Sequence, residues 1–324
     1  MLSFSPLPKW PPLNLESQIF AVRAASDNSY IAASLSNGQI ALISGTTGRL
    51  SFTLNTSQES FPSTSLRFHP KNPRAILTVS SEGTISEFST KTSQAKCTWS
   101  TTEKDNQIFS LDVSPDGDKF ATAGLDKSIR IYDYETQKIL ATLSKSQYNA
   151  DSRGHTNRIF SLIFDPTDSN ILVSGGWDDT IQFWDLRIKS SVRSLFGPHI
   201  CSDSIDIHGN NLIAGSWRTL DQLQLFDTRT FTMTANIKWN KVPSEHSALI
   251  YTVKFHPSGE FFVAGGSGET SVRAFSIKSF SQVGKPANFN SPIYSVAFNN
   301  NADSIFIGTQ NGEIHNYGIQ FTRN

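Results

Sequence analysis

The sequence predicts an all-β fold, a seven-bladed β-propeller closed by an N-terminal strand in the last blade. Two segments, QIFSLDVSPDGDKFATAGLDKSIRIYDYETQKILATL from Gln107 and RIFSLIFDPTDSNILVSGGWDDTIQFWDLRIKSSVRSL from Arg158, align almost without gaps. Each reads as four short strands separated by turns. Weaker copies fill the rest of the chain. Their third-strand anchors, Ile40, Ile85, Ile129, Ile181, Leu223, Val272 and Ile314, lie 42 to 52 residues apart, which brackets the period of a propeller blade. The composition agrees: 23 Phe, 7 Tyr and 6 Trp stand against 2 Met, and aromatic rings suit half-buried pleated surfaces. No helical periodicity competes, so the 324 residues form one ring rather than the two domains that length alone would allow.

The units follow in order after a segment at 1–17. The first, 18–54, and the second, 63–99, are weak copies, the second keeping Phe88 where the third strand closes. In the third, 107–143, Ile108, Leu111 and Val113 mark the first strand and Ile129 and Ile131 the third. Pro115-Asp116-Gly117 and Leu125-Asp126-Lys127 are turns, and Tyr132-Asp133 ends the third strand. The fourth, 158–195, is the clearest copy and closes its third strand on Trp184-Asp185. The fifth, 200–237, closes on Phe226-Asp227 and has a longer turn at Ser216-Trp217-Arg218-Thr219-Leu220-Asp221. The sixth, 249–283, keeps Phe275 and the seventh, 292–320, Tyr317. Too few residues follow Tyr317 for a comfortable fourth strand, so residues 1–17 are expected to clasp the last blade from outside. Pro6, Pro8, Pro11 and Pro12 are compatible with an edge strand, where missing donors are tolerated.

With Gly154-His155 before a first strand, Asp178 in a turn and Trp184-Asp185 closing a third strand, the chain resembles the WD40-repeat family over residues 18–320. The resemblance implies a hydrogen-bond relay of His155, Ser174, Asp178 and Trp184, which satisfies a buried indole N–H and hydroxyl that would otherwise each cost about 1–3 kcal/mol. The third unit keeps Thr122 and Asp126 without a His, and the sixth has His246 with Glu269 in the Asp position. Those two blades are expected to rest more on apolar packing. A His/Ser/Asp trio also fits a hydrolase, but a nucleophile belongs on an exposed, strained turn, whereas Ser174 falls inside the apolar run Ile-Leu-Val-Ser-Gly-Gly. His69 and His256, each in Phe-His-Pro, read as turn residues at first-strand exits rather than metal ligands, and no metal or cofactor is expected.

In the family, the loops before the first strand and between the second and third surround the channel mouth on one face, here called the top. First-strand residues in the register of Phe160 are Phe20, Thr64, Phe109, Phe160, Asp203, Tyr251 and Tyr294. They are either packing residues allowed by the repeat or an aromatic rim for a partner's apolar side chain or peptide, adjoined by Arg158, Trp177, Trp217 and Arg218. The long fifth-unit turn is expected to project Trp217. The connections Ser100 to Asn106, Ser144 to Arg153 and Lys238 to Ser247 are expected to be polar, solvated loops on the same face.

Charge is scarce and balanced, 28 Lys+Arg against 28 Asp+Glu or 17% of residues, which disfavours a nucleic-acid or anionic-membrane field. Cys97 and Cys201 make no CxxC pair, so neither a disulfide framework nor a zinc knuckle is expected. No secretory signal pattern and no apolar stretch near 18 residues is visible. The resulting expectation is a cytoplasmic, non-catalytic interaction scaffold or adaptor within a larger assembly. Cytoskeletal, ciliary, ligase, chromatin and trafficking complexes, nuclear sites and oligomeric state all stay open. Two alternatives accompany it. Trp184-Asp185-Leu186-Arg187 looks like the WDxR box through which WD40 substrate receptors engage the adaptor of cullin ubiquitin ligases, with Arg187 as the contact, although an Arg there can also pair with a neighbouring Asp. An enzyme at the channel mouth would require convergent carboxylates or a metal cluster.

Overall fold

The computed structural model describes residues 2–56, 60–91, 95–146, 153–240 and 247–321. Every regular element among them is a strand. The strands form seven antiparallel sheets, six with four strands and one with five. Blade 4 shows the plan: Ile159–Phe164, Ile171–Gly176, Thr180–Asp185 and Ser190–Phe196 pair in chain order. Apolar clusters lie between neighbouring sheets. Ile129, Ile131 and Leu143 of blade 3, for example, pack against Ile159, Leu162, Leu172 and Trp184 of blade 4. Both faces of each sheet are covered this way, leaving few positions for solvated charge.

The last blade is completed from the other end of the chain. Its own strands are Ile293–Phe298, Ser304–Thr309 and Glu313–Phe321. Leu2–Pro6 pairs outside the third, with Leu2 opposite Phe321 and Pro6 opposite Tyr317, and Leu13–Asn14 pairs opposite Ile314 and Glu313. The clasp is therefore two short edge pieces rather than one strand. Between them the chain leaves the sheet through Pro8, Pro11 and Pro12, and this excursion buries Trp10. The indole N–H donates to the Ser44 carbonyl of blade 1 at 3.2 Å, and the ring lies 5.4 Å from Phe306 of blade 7.

Side chains also tie each blade to the next. Asp112 accepts the Phe164 amide at 2.8 Å and Asp206 the Phe255 amide at 2.7 Å. The Ser295 hydroxyl accepts the Val22 amide at 2.9 Å across the closing joint. His69 and His256 do more than end a strand. His69 Nε2 donates to the Gly117 carbonyl of the next blade at 3.1 Å, and His256 Nε2 to that of Ala302 at 2.8 Å. Gly117 has φ +76°, and a Cβ there would sit 2.6 Å from the His69 ring. The turn thus needs glycine both for its backbone and for the neighbouring histidine.

Candidate functional site

One backbone irregularity builds the channel mouth. In six blades the first strand carries a register shift around a single residue, and those residues are Phe20, Thr64, Phe109, Phe160, Tyr251 and Tyr294. A β-bulge leaves one residue unpaired and re-aims its side chain. It also adds one residue to the strand, so the next channel-facing position comes three residues later instead of two.

The bulged aromatics make two arcs. In one, Phe109 and Phe160 stack at 4.7 Å, Phe160 meets Trp177 at 5.3 Å, and Trp177 stacks on His199 at 5.9 Å. The Arg158 guanidinium lies 5.0 Å from the Trp177 ring. In the other, Phe20 stacks on Tyr294 at 6.1 Å, Tyr294 meets Tyr251 edge-on at 5.0 Å, and Tyr251 approaches Trp217 at 6.4 Å. Rim rings other than Trp217 are half-buried. Thr64 interrupts the arcs, its hydroxyl donating to the Ile108 carbonyl at 2.6 Å.

Between Trp177 and Trp217 lies a polar knot. Asp179 binds Arg218 at 2.6 Å and His199 at 2.7 Å, so Arg218 is spent on its neighbour rather than projecting freely. The Trp177 indole donates to Cys201 Sγ at 3.0 Å. Burial, with the Asp179 charge adding, pushes that thiol up to about 11. Trp217 is 39% exposed; Leu220 (62%) stands in the same turn, and Phe196 (75%) ends the outer strand of blade 4. Sequence reading did not single out Phe196 or Leu220. Phe196 ends an outer strand, Ser190–Phe196, where alternation carries little information because one face is solvent.

Asp203 does not join the rim. Blade 5 has no bulge, and its first strand begins only at Ile205. The carboxylate instead reaches into the channel, where it pairs with Arg23 of blade 1, lies 3.5 Å from Lys254 and 3.7 Å from Arg67. Arg67 also binds Asp112 at 2.7 Å, and Lys254 lies 3.7 Å from Asp206. These five partners all occupy the position three residues after the bulge register, so the rim stands on an ionic plug joining blades 1, 2, 3, 5 and 6. Burial opposes ionisation of Asp203, but Lys254, Arg23 and Arg67 hold its carboxyl well below the usual range. Burial pushes Asp206 up, with the charge of Asp203 adding. Beneath the plug a cavity of about 410 Å³ opens on the bottom face.

The blade 4 relay runs in one direction. Trp184 Nε1 donates to Ser174 Oγ at 2.8 Å, Ser174 to His155 Nε2 at 2.7 Å, and His155 Nδ1 to Asp178 at 2.9 Å. Burial opposes ionisation of Asp178, yet the His155 bond holds its pKa down. Ser174 is fully buried, so a substrate carbonyl has no path to its oxygen.

Blades 3 and 6, expected to rest on apolar packing, contain polar relays of another kind. Buried Glu103 accepts from Thr122, from Tyr132 at 2.8 Å, from Asn106 at 2.6 Å and from Arg130 at 3.0 Å. Arg130 in turn binds Asp126 at 2.6 Å. In blade 6, Glu269 binds Arg273 and accepts from the buried Trp239 indole at 3.2 Å, with the Arg273 guanidinium 4.7 Å from that ring. His246 lies outside the described residues. Glu103, Asn106 and Trp239 come from connections read as solvated loops, yet all three are buried, because the relay needs a group the strands do not supply. Most of the Ser144 to Arg153 connection lies outside the described residues. Glu103→Gln removes a charge facing Arg130 but keeps an amide acceptor. It is expected to cost about 1–2 kcal/mol in a urea melt, and an unchanged midpoint would refute the relay role.

Arg187 sits at the opposite end of the Thr180–Asp185 strand from Trp177, on the bottom face. Its guanidinium is gripped by both Asp185 oxygens at 2.8 and 2.7 Å. Asp227 and Arg229 repeat that fork in blade 5, at 3.1 and 2.6 Å.

A family model described as "WD domain, G-beta repeat" matches residues 95–133, 146–185 and 238–276. Each match ends on the last residue of a third strand, in blades 3, 4 and 6. Pre-mRNA-processing factor 19 of Mus musculus is 29% identical over 196 residues, 59% of this chain and 35% of that protein. A striatin homolog of Dictyostelium discoideum is 25% identical over 205 residues, 61% of this chain and 24% of that protein. The guanine nucleotide-binding protein subunit beta of Solanum tuberosum is 26% identical over 278 residues, 78% of this chain and 67% of that protein. The chain thus spans about a third or less of the first two relatives' length. With seven four-stranded blades, the His-Ser-Trp relay of blade 4 and these matches together, the chain is a WD40-repeat β-propeller.

Proposed function

We propose that this chain is a non-catalytic interaction scaffold, a subunit or adaptor of a larger protein assembly, whose partner docks on the aromatic top face. The observation that carries the reading is the mouth itself: six bulges re-aim first-strand side chains, and five of those are aromatic. A rim serving only as packing would be closed over. This one stays half-exposed and runs into Trp217, whose turn also carries the exposed Leu220. Rigid half-exposed rings beside an Arg have the chemistry of interface hot spots. The names of relatives, a G-protein subunit and a pre-mRNA-processing factor, support membership of an assembly but do not converge on one pathway. A cytoplasmic setting, with cytoskeletal or ciliary complexes among the candidates, stays part of the proposal and rests on the sequence reading alone. The ligase-adaptor reading gains nothing from Arg187, because its fork with Asp185 recurs at Asp227 and Arg229.

Phe109, Phe160 and Tyr251 replaced together by Ala are expected to reduce partner recovery at least tenfold in quantitative affinity purification. Circular dichroism should show the same strand content. Undiminished recovery by the folded triple variant would return the rim to a packing role.

A further inference from the structure

We propose that the partner segment docking on the rim is acidic: a linear peptide whose apolar side chain lies against the ring arcs and whose flanking Asp or Glu carboxylates bind Arg158 and the hydroxyls of Tyr251 and Tyr294. The proposal rests on the top-face reading above and adds the chemistry of the occupant. What selects an anion is the set of polar groups that the mouth leaves free. The Arg158 guanidinium lies 5.0 Å from the Trp177 ring and has no ion-pair or hydrogen-bond partner among the described residues. The Tyr251 and Tyr294 hydroxyls likewise have no partner among them. All three side chains are half-buried, and none of these groups belongs to the unpartnered polar atoms sealed from solvent, so a ligand can reach them. Arg158 adjoins one arc and the tyrosines stand in the other. One carboxylate on either side of the apolar residue therefore meets a donor.

The carboxylates at the mouth are already taken. Asp179 is bound by Arg218 at 2.6 Å and His199 at 2.7 Å, and Asp203 by Arg23, with Lys254 at 3.5 Å. Exposed Glu82 belongs to blade 2, the side where Thr64 interrupts the rings. The rings themselves also disfavour a cation. Phe109, Phe160, Trp177 and His199 form one stack with successive planes 10°, 31° and 21° apart, and Phe20 lies 7° from Tyr294. Rings stacked this way turn their negative faces to one another and leave their positive edges outward. A cage for a cation would need faces converging on one point, and the Trp177 ring already carries Arg158. Arg158 would repel a second cation there and form a charge-assisted bond with a carboxylate.

The test measures fluorescence polarisation of three labelled peptides against the full chain: Ser-Asp-Glu-Phe-Asp-Glu-Ser, its amide isostere Ser-Asn-Gln-Phe-Asn-Gln-Ser, and Ser-Lys-Lys-Phe-Lys-Lys-Ser. The acidic peptide is expected to bind saturably, about tenfold tighter than the isostere, and to weaken as added salt screens it. The lysine peptide should not bind. Arg158→Gln should remove most of the preference for acid over amide, whereas Arg158→Lys should keep it. Should Arg158→Gln fail to fold, Tyr251→Phe combined with Tyr294→Phe keeps the rings and is expected to reduce the same preference. Equal affinity for acid and amide, a preference for lysine, or no saturable binding of the acidic peptide would overturn the proposal. Its failure is distinguishable from that of the top-face reading. Partner recovery lost in the triple rim variant but undiminished in Arg158→Gln would refute the acidic occupant and leave the docking face standing, while recovery undiminished in both would refute both.

Discussion

Deletion of residues 1–17 is expected to lower the melting temperature by more than 10 °C and to make the protein aggregate as its concentration rises. Two losses add. The first is Trp10, which is 3% exposed and wedged against Phe306 with its N–H on Ser44. Truncating a buried Trp costs about 3–5 kcal/mol, and each kcal/mol moves the melt of a large domain by roughly 2 °C or more. The second is the cover on Glu313–Phe321, the longest strand of its blade at 9 residues, which would become an open edge able to pair with another chain. Trp10→Ala separates the two, since it keeps Leu2–Pro6 in place. It should account for about 6–10 °C without concentration-dependent aggregation. A deletion variant that melts with the full chain would mean that the ring closes without its clasp.

The need for the clasp was legible because strand counting leaves the last blade one strand short. Its break into two pieces was not. Pairing at Leu2–Pro6 and again at Leu13–Asn14 depends on where Trp10 finds a pocket, and that pocket is made jointly by Ser44, Gly48 and Phe306 from two blades at opposite ends of the chain. The relay tells the same story. His155, Ser174, Asp178 and Trp184 follow the repeat pattern and could be placed by it. Glu103 could not, because it carries a charge in a polar stretch and only the assembled blade shows that Thr122, Tyr132 and Arg130 converge on it. A hint existed in Arg130 itself: a cation beside the apolar anchor Ile129 requires a nearby acid.

The rim shows where register reading works and where it stops. Aligning first strands on Phe160 found six residues that are in fact bulges, since a bulge is inherited with the repeat. The same alignment put Asp203 among them, and it failed there because blade 5 starts its strand only after that position, at Ile205. Freed from the strand, Asp203 reaches the cations below the mouth. The charges at Arg23, Arg67, Asp112, Asp206 and Lys254 look unrelated in sequence. They become one network only when the bulge is taken into account and five blades are brought around one axis.

Asp203→Asn is accordingly expected to cost about 3–5 kcal/mol at pH 7, the range for breaking a buried ion pair from one side. Arg67 would keep Asp112 and Lys254 would keep Asp206, but Arg23 would lose its carboxylate. The same substitution made in an Arg23→Met background should therefore cost at least 1 kcal/mol less, and equal costs would show that the two groups are not coupled. The acid limb fixes the sign. The folded-state pKa of Asp203 is depressed, so its stabilisation is present above the unfolded value, near 4, and is lost as the pH falls through the lower folded value. Asp206 is shifted upward and acts oppositely, its cost at neutral pH being relieved on acidification. Without the charge of Asp203 beside it, Asp206 should ionise more easily, which returns a little of the loss at neutral pH and none in acid. The stability gap between the protein and Asp203→Asn should thus be widest near pH 7 and narrow below pH 4. Urea melts at pH 7, 5 and 3 measure it directly, and a gap of constant size would mean that Asp203 holds the channel by shape rather than by charge.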